Sequence, residues 1–284
     1  MNEKRLMPEL LAEFFGTFIL ILIGNGAVAV SVWTGSYDLW AVSLMWAFAV
    51  MLAIYAAGAI SGAHINPAVT ITMATFTDFE WRKVGPYIGA QLLGAFVASA
   101  AIHVAYGGVI RAFEQAEGLV RGQPGSQLSA MVYTTYAPNP AIIGTDAAAM
   151  AQVSLPTWFA SEVIITAFLL FGIFFLVESL NEGRPLSNVH AIIIGLLVGV
   201  LVAYEAPVSM AALNPARDLG PRVWAFLAGW GEIAFPGPRG GFWIPTVSTI
   251  IGGLLGGAIY HYVYKQIYPV PAEAGRVPES VEGS

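Results

Sequence analysis

The chain runs from Leu39 to Thr77 without a formal charge, a stretch of 39 residues. A helix that crosses a hydrocarbon core of about 30 Å needs about 20 apolar residues. This stretch is therefore too long for one span and too apolar for a water-facing surface. Gly58, Gly62 and Pro67 interrupt it. The reading is one full helix over roughly 39–58, a bend, and a short helix that starts at Pro67. Comparable runs cover Phe14 to Tyr37, Val84 to Ile110 and Gly240 to Tyr264, and shorter ones at Val163–Val177 and Val189–Tyr204 extend through neutral flanks. After the fifth run, Pro207 is followed by Pro215, which opens a second short helix to about Trp230. The pattern predicts an all-α membrane protein with six transmembrane helices and two half-helices. Composition agrees, since 57% of residues are hydrophobic and 11% charged, against about 25% charged in a soluble domain.

Other classes are excluded. The chain has no cysteine, so disulfides, thiolate metal sites and cysteine nucleophiles are ruled out. A net charge of −6 argues against nucleic acid as a partner. His64, His103, His190 and His261 are scattered without metal-ligand spacing. No nucleophile–base pair or phosphate loop stands out, so neither enzyme activity nor a cofactor is expected. Lys4-Arg5 before an apolar run could mark a signal peptide, but the run is too long and holds Glu13.

Basic residues give an orientation. Lys4, Arg5, Arg82, Lys83, Arg184, Lys265 and Arg276 share one side if six spans separate them, and that side should be cytoplasmic. Both termini are then inside, as in a multi-pass protein of the plasma membrane. The segment 107–156, with Pro124-Gly125 and Pro138-Asn139-Pro140, reads as an extracellular loop that could hold a short helix. Residues 1–268 read as one membrane domain, and 269–284 as a polar, disordered tail.

The chain also repeats itself. Glu13 precedes Asn66 by 53 residues, and Glu162 precedes Asn214 by 52. Each half reads as a helix with an early Glu, a helix, a bend, an Asn-Pro-Ala half-helix and a helix. The halves cover about 8–110 and 157–268. An odd number of full spans per half inverts one relative to the other, with the symmetry axis in the membrane plane.

The motifs Asn66-Pro67-Ala68 and Asn214-Pro215-Ala216 have a direct physical reading. Asn is a strong helix N-cap, and Pro suits the first helical position because it lacks the N–H that would go unsatisfied there. A half-helix of about 11 residues rises roughly 16 Å, half the membrane core. Two such helices entering from opposite faces meet near the midplane with their positive dipole ends together. The Asn amides then offer donors to a passing water or hydroxyl, and the dipoles oppose cations and protons. Ala68 and Ala216 are small enough for the ends to pack closely.

Irregular backbone at membrane depth must be buried or line a cavity. The carbonyls of Gly62, Ala63 and His64, and of Met210, Ala211 and Ala212, are therefore candidates for an acceptor ladder along a pore. The His64 imidazole could instead be a packing group. Glu13 and Glu162 are costly within spans and need a role, either proton relay or, as their symmetric placement favours, bracing each bend by accepting its N–H groups. Glycines four apart (Gly85 and Gly89, Gly195 and Gly199, Gly252 and Gly256, Gly253 and Gly257) are read as close helix packing.

Ser61 to Thr70 (Ser-Gly-Ala-His-Ile-Asn-Pro-Ala-Val-Thr), together with Asn214 to Arg222 (Asn-Pro-Ala-Arg-Asp-Leu-Gly-Pro-Arg), resembles the major intrinsic protein family over about residues 8–268. The resemblance implies a homotetramer in membrane lipid with one pore per subunit. Within the family the chain resembles the glycerol facilitators, or aquaglyceroporins. Asp218 follows the motif Arg, Arg222 follows four residues later, Pro245 lies in the last helix, and the outer loop is long. The four selectivity-filter positions carried over by motif are Trp46, Val202, Ala211 and Arg217. Trp46 could otherwise be an interfacial anchor. Trp46 and Arg217 match the glycerol facilitators, while Val202 and Ala211 depart from them, and the set resembles that of plant nodulin-like members. The implied function is passive diffusion of glycerol, water and related uncharged solutes, with lactic acid, urea, ammonia or metalloid hydroxides as alternatives. A coupled secondary transporter also fits inverted repeats and broken helices, but no chain of intramembrane acids is evident in the sequence.

Overall fold

The computed structural model describes residues 3–268; the polar tail assigned to 269–284 lies outside the described residues. Every regular element among the described residues is helical. In order, the α-helices are α1 (Glu3–Thr34), α2 (Leu39–Ser61), α3 (Pro67–Phe76), α4 (Trp81–Ala116), α5 (Gln127–Ala130), α6 (Ala147–Gln152), α7 (Leu155–Val177), α8 (His190–Ser209), α9 (Pro215–Ala225) and α10 (Ile244–Tyr262). Six of the described helices are long and apolar enough to cross a membrane. Long, short and long helices recur in the same order in α1–α4 and in α7–α10.

The packing follows the repeat. α1 lies against α2 and α4, α7 lies against α10 and α8, and α2 meets α8 across the two halves. The half-helix α3 is held by α10 and α4, and α9 by α4 and α10. Small residues set these distances. A Cβ on Gly94 of α4 would stand 2.3 Å from the Phe14 carbonyl oxygen of α1, and one on Gly256 of α10 would stand 2.1 Å from the Ala167 oxygen of α7. Gly195 and Gly199 press on Ala47 and Ser43 of α2, while Gly253 and Gly257 press on α3. Gly85 and Gly89 differ from the expectation: both are exposed, and among the described residues nothing comes within 4 Å of a Cβ at either. They fall on the outward side of α4, where no other described helix runs.

The outside is apolar, and polar groups are buried inside among the apolar core. Phe15, Leu52, Val104, Ile164, Val200 and Ile251 face outward, as a lipid-facing surface requires. Glu13, Thr17, Asn25, Gln91, Glu162 and Glu205 are buried. At one end of the bundle two carboxylates tie helices together. Glu9 of α1 accepts from Lys83 Nζ at 2.9 Å and from the Tyr87 hydroxyl at 2.8 Å. Glu178, which caps α7, pairs with Lys265 at 3.0 Å and accepts from the Tyr260 hydroxyl at 2.7 Å. Burial would raise the Glu178 carboxyl, but the hydrogen bonds from Tyr260, Lys265, the Leu180 N–H and Ser179 outweigh it and hold it down at about 2.

Three boundaries and surfaces differ from the sequence reading. First, α4 continues to Ala116, so the connection begins at 117 and not at 107. The end of the charge-free run marks where apolar surroundings end, and Arg111, Phe113, Glu114 and Gln115 simply carry the helix beyond it. Second, the connection is no surface loop with one short helix. It contains α5 and α6, and residues 129–140 are all buried. Third, the second half-helix, read to about Trp230, is α-helical only to Ala225 and passes into a π-helical turn over Phe226–Trp230.

Candidate functional site

The two half-helices meet at their N-termini. The Asn66 side chain caps α3 by accepting from Ala68 N at 2.8 Å, and Asn214 caps α9 by accepting from Ala216 N at 2.8 Å. Pro67 and Pro215 occupy the first turn of each. The amide nitrogens then cross over. Asn66 Nδ2 donates to the Leu213 carbonyl at 2.9 Å, and Asn214 Nδ2 donates to the Ile65 carbonyl at 2.8 Å. Each amide has two N–H groups, so one remains for the lumen. Ala68 and Ala216 are both fully buried at this junction.

The bends that lead into the caps are strained in the same way. Gly62, Ala63 and Ile65 have positive φ, as do Met210, Ala211 and Leu213. For non-glycine residues the left-handed region costs roughly 1–2 kcal/mol each, so it persists only where surrounding contacts over-determine it. The buried acids supply those contacts. Glu13 accepts from His64 N at 2.9 Å, Ile65 N at 2.6 Å and the Ser61 hydroxyl at 2.6 Å. Glu162 accepts from Ala212 N at 2.8 Å, Leu213 N at 3.2 Å and the Ser209 hydroxyl at 2.7 Å. Their carboxylates use the backbone N–H groups, which leaves the carbonyl side of each bend unconstrained by these acids.

Two cavities lie within the bundle. The bend cavity, of about 330 Å³, is lined by Gly62, Ala63, His64, Ile65 and Asn66 from one bend and by Ala211, Ala212, Leu213 and Asn214 from the other. Apolar side chains, among them Leu20, Val50, Leu169 and Val198, complete its wall. The loop cavity, of about 390 Å³, is lined by Ser31, Glu117, Asn139 and Met210 among others. Trp46, Val202 and Arg217 line both cavities, while Ala211 lines only the bend cavity and Met210 only the loop cavity. Within the second bend, Met210 lines the loop cavity and Ala211 and Ala212 the bend cavity, and the Met210 sulfur accepts from Tyr136 N at 3.3 Å.

Trp46 is buried within the bundle rather than at a lipid-facing surface. The Arg217 guanidinium lies over its ring, and Arg217 Nη1 is buried with no acceptor among the described residues. A guanidinium carries five N–H donors and no acceptor, and Arg217 lines both cavities, so its accessible donors are offered to whatever occupies the passage. The His64 ring packs against Phe79 and Tyr87 and lies 3.3 Å from the Thr70 hydroxyl through Nδ1. Pro245 sits in the first turn of α10 and lines neither cavity.

Asp218 and Arg222 hold the outer end together. Arg222 Nε and Nη2 donate to Asp218 at 2.8 Å each, Nη1 donates to the Ala234 carbonyl and Nη2 also to the Thr135 carbonyl. Asp218 Oδ1 accepts from Thr134 and Thr135 hydroxyls and from Thr135 N. The half-helix that bears Arg217 is thereby stapled to the connecting segment, which buries residues that composition alone assigns to a loop. Asn139 adds a second staple by donating to the Ala206 carbonyl at 2.8 Å.

Two residues were missed from sequence. Gln91 of α4 donates to Glu13 at 2.7 Å and to Thr70 at 2.9 Å; a lone glutamine in a charge-free run gives little signal. Glu205 of α8 is buried and accepts from Ala211 N at 2.7 Å. The signal for it existed, since the charge-free run stops at Tyr204 whereas α8 continues to Ser209.

Comparison with known proteins follows from this geometry. The model of the family described as "Major intrinsic protein" matches residues 1–260. The chain is 40% identical to the glycerol uptake facilitator protein of Pseudomonas aeruginosa, over 98% of this chain and 97% of that one. It is 40% identical to Aquaporin-9 of Mus musculus, over 90% of this chain and 82% of that one. Among solved structures it is similar to the aquaglyceroporin from Plasmodium falciparum, with a TM-score of 0.79 and 30% identity over 93% of this chain and 98% of the other.

Proposed function

We propose, from the premise that this chain belongs to the major intrinsic protein family, that it is a passive transmembrane channel for glycerol and water and not an enzyme. The observation that carries the reading is that Trp46, Val202 and Arg217 are common to both cavities, with Ala211 beside them. These four residues form the selectivity filter. Arg217 donates to solute hydroxyls through its free edge, and the Trp46 face receives the carbon backbone. Past the filter, the carbonyls of Gly62, Ala63 and His64 and of Ala211 and Ala212 accept from the solute, and the second amide N–H of Asn66 and of Asn214 donates to it. A solute with alternating hydroxyls and an apolar edge fits such a wall. A bare cation loses its hydration and meets Arg217 and two converging helix N-termini.

Glu13 and Glu162 act as braces. Asp218 and Arg222 keep α9 in place, and Pro245 starts the last helix. The two halves form inverted repeats about an axis in the membrane plane. Excess basic residues on one side put both termini in the cytoplasm, in the plasma membrane. The unit is a homotetramer embedded in lipid, each subunit with its own pore. A second reading widens the solute range. Ala211 presents only a methyl group where a larger side chain would close the passage, which favours lactic acid, urea, ammonia or metalloid hydroxides as additional substrates.

Stopped-flow light scattering of proteoliposomes with water, glycerol, urea and lactic acid tests both readings. Glycerol and water permeability should rise above that of empty vesicles. Uphill accumulation driven by a proton or sodium gradient would instead establish a coupled transporter.

A further inference from the structure

Comparing the two bends position by position exposes an asymmetry. Ser61 and Ser209 both stand five residues before the motif Asn, and each donates to the brace of its own half, Glu13 or Glu162. In the first bend, Ser61 Oγ also accepts from Ala63 N at 3.1 Å. In the second bend, the matching N–H belongs to Ala211, and it goes to Glu205 Oε2 at 2.7 Å instead. The residue four before Ser209 is Glu205, and the residue four before Ser61 is Ala57. The residue before Glu162 is Ser161, which reaches Glu205 Oε1 at 2.5 Å, and the residue before Glu13 is Ala12. A second acid and its hydroxyl partner have thus been added to one repeat alone, at the filter position Ala211.

Hydrogen counting sets the chemical state of this cluster. Three oxygen–oxygen contacts join it: Ser161 Oγ to Glu205 Oε1, Ser209 Oγ to Glu205 Oε1, and Ser209 Oγ to Glu162 Oε1. Two serine hydroxyls bring two hydrogens. The third contact requires a hydrogen from a carboxyl group. Both Glu162 oxygens already accept backbone N–H groups, while Glu205 Oε1 meets both serine hydroxyls, which makes Glu205 Oε1 its place. Two ionised carboxylates sharing one hydroxyl in an apolar interior would also repel strongly.

We propose that Glu205 is a positioning residue for solute selection: as a neutral carboxylic acid it clamps the Ala211 N–H and thereby sets the wall of the filter opposite Trp46 and Arg217. This rests on the channel reading above. Val202 lies one helical turn before Glu205 on α8, so the same acid links the two filter positions in which the chain departs from glycerol facilitators. Met210 and Ala211 both have positive φ, and without the clamp the strained backbone relaxes and the filter discriminates less by size.

The test uses full-length wild type, E205A and E205Q, reconstituted at equal protein content, with glycerol and the four-carbon polyol erythritol as probes. Gln keeps the acceptor for Ala211 N and brings two N–H donors for the serines, so E205Q should retain the wild-type glycerol-to-erythritol permeability ratio. E205A should lower that ratio about fivefold, the effect of one net hydrogen bond. The wild-type minus E205Q infrared difference spectrum should contain the C=O band of a protonated carboxylic acid. An unchanged ratio in E205A, a changed one in E205Q, or the absence of that band overturns the proposal. If E205A does not reconstitute, E205Q and the spectrum decide it. Wild-type vesicles that carry no glycerol would refute the channel reading, a result distinguishable from failure of the clamp.

Discussion

The guanidinium carbon of Arg217 lies 5.0 Å from the centre of the Trp46 ring. A half-helix and a full span meet through this pair, α9 bringing the cation and α2 the aromatic face. A desolvated cation over an indole face contributes about 2 kcal/mol or more, and the contact orients Arg217 without consuming its N–H donors. Replacing Arg217 with Ala removes both the positive charge and the donor edge. Glycerol should lose its advantage over other neutral solutes, and small cations should begin to leak. A swelling assay that returns the wild-type solute ranking would remove Arg217 from the filter.

Ala211 faces the bend cavity directly beside this pair. Ala211→Phe places a ring where a methyl now stands. Bulkier solutes should slow more than water, by tenfold or more if the ring costs them about 1.4 kcal/mol. Equal loss for water, glycerol and urea would mean that position 211 lies away from the narrowest point.

Gly24 of α1 supports Trp46 from the other helix. A Cβ at Gly24 would stand 2.3 Å from Trp46 Cζ3, a distance at which the ring must move. Overpacking of this kind typically costs 1–3 kcal/mol. Gly24→Ala should therefore shift the glycerol-to-water ratio while the protein still inserts. If the ratio and the thermal midpoint both stay at wild-type values, Trp46 is not held by this contact.

Asp218 and Arg222 form a buried pair whose side chains are 0% and 1% exposed. Removing one partner leaves an unpaired buried charge and typically costs 3–5 kcal/mol. Arg222→Met should lower the thermal midpoint in detergent markedly, and Asp218→Asn combined with it should recover part of the loss. A double variant less stable than the single one by the full additive amount would show that the two act independently.

Glu178 gives a pH signature on the bundle end. Its carboxyl is held at about 2, below the ordinary value of 4.5. A depressed acid contributes stability that is fully present above its unfolded value and lost as pH falls towards its folded value. The Glu178 contribution should therefore fade between pH 4.5 and about 2, and Glu178→Gln should flatten that part of the stability profile. Identical acid profiles for the two proteins would show that the contacts from Lys265 and Tyr260 contribute nothing.

How much of this was legible in the sequence depends on the range of the interaction. Spans, half-helices and repeated braces were legible because a membrane forces each segment to satisfy its own backbone, so charge-free length and an N-cap Asn-Pro pair report structure locally. The end of α4 was not, because the helix outlasts the apolar environment that the charge-free run measures. The connecting segment was misread as exposed because its partners, Asp218, Arg222, Ala206 and Met210, lie roughly 70–90 residues further on. Glu205 was visible as a charge but not as a clamp, since its partners Ser161 and Ala211 converge only when α7, α8 and the second bend pack together.

By itself, the sequence determined six spans, two half-helices that start at Asn66 and Asn214, and an intramembrane acid for each bend. Each of these follows from short-range rules of apolar length and helix capping. Tertiary structure alone decided that Trp46, Val202 and Arg217 line both cavities, that Met210 lines a different cavity from Ala211 and Ala212, and that Glu205 reaches Ser161 and Ala211. Those outcomes depend on which side chains meet across helices, and no spacing along the chain encodes that.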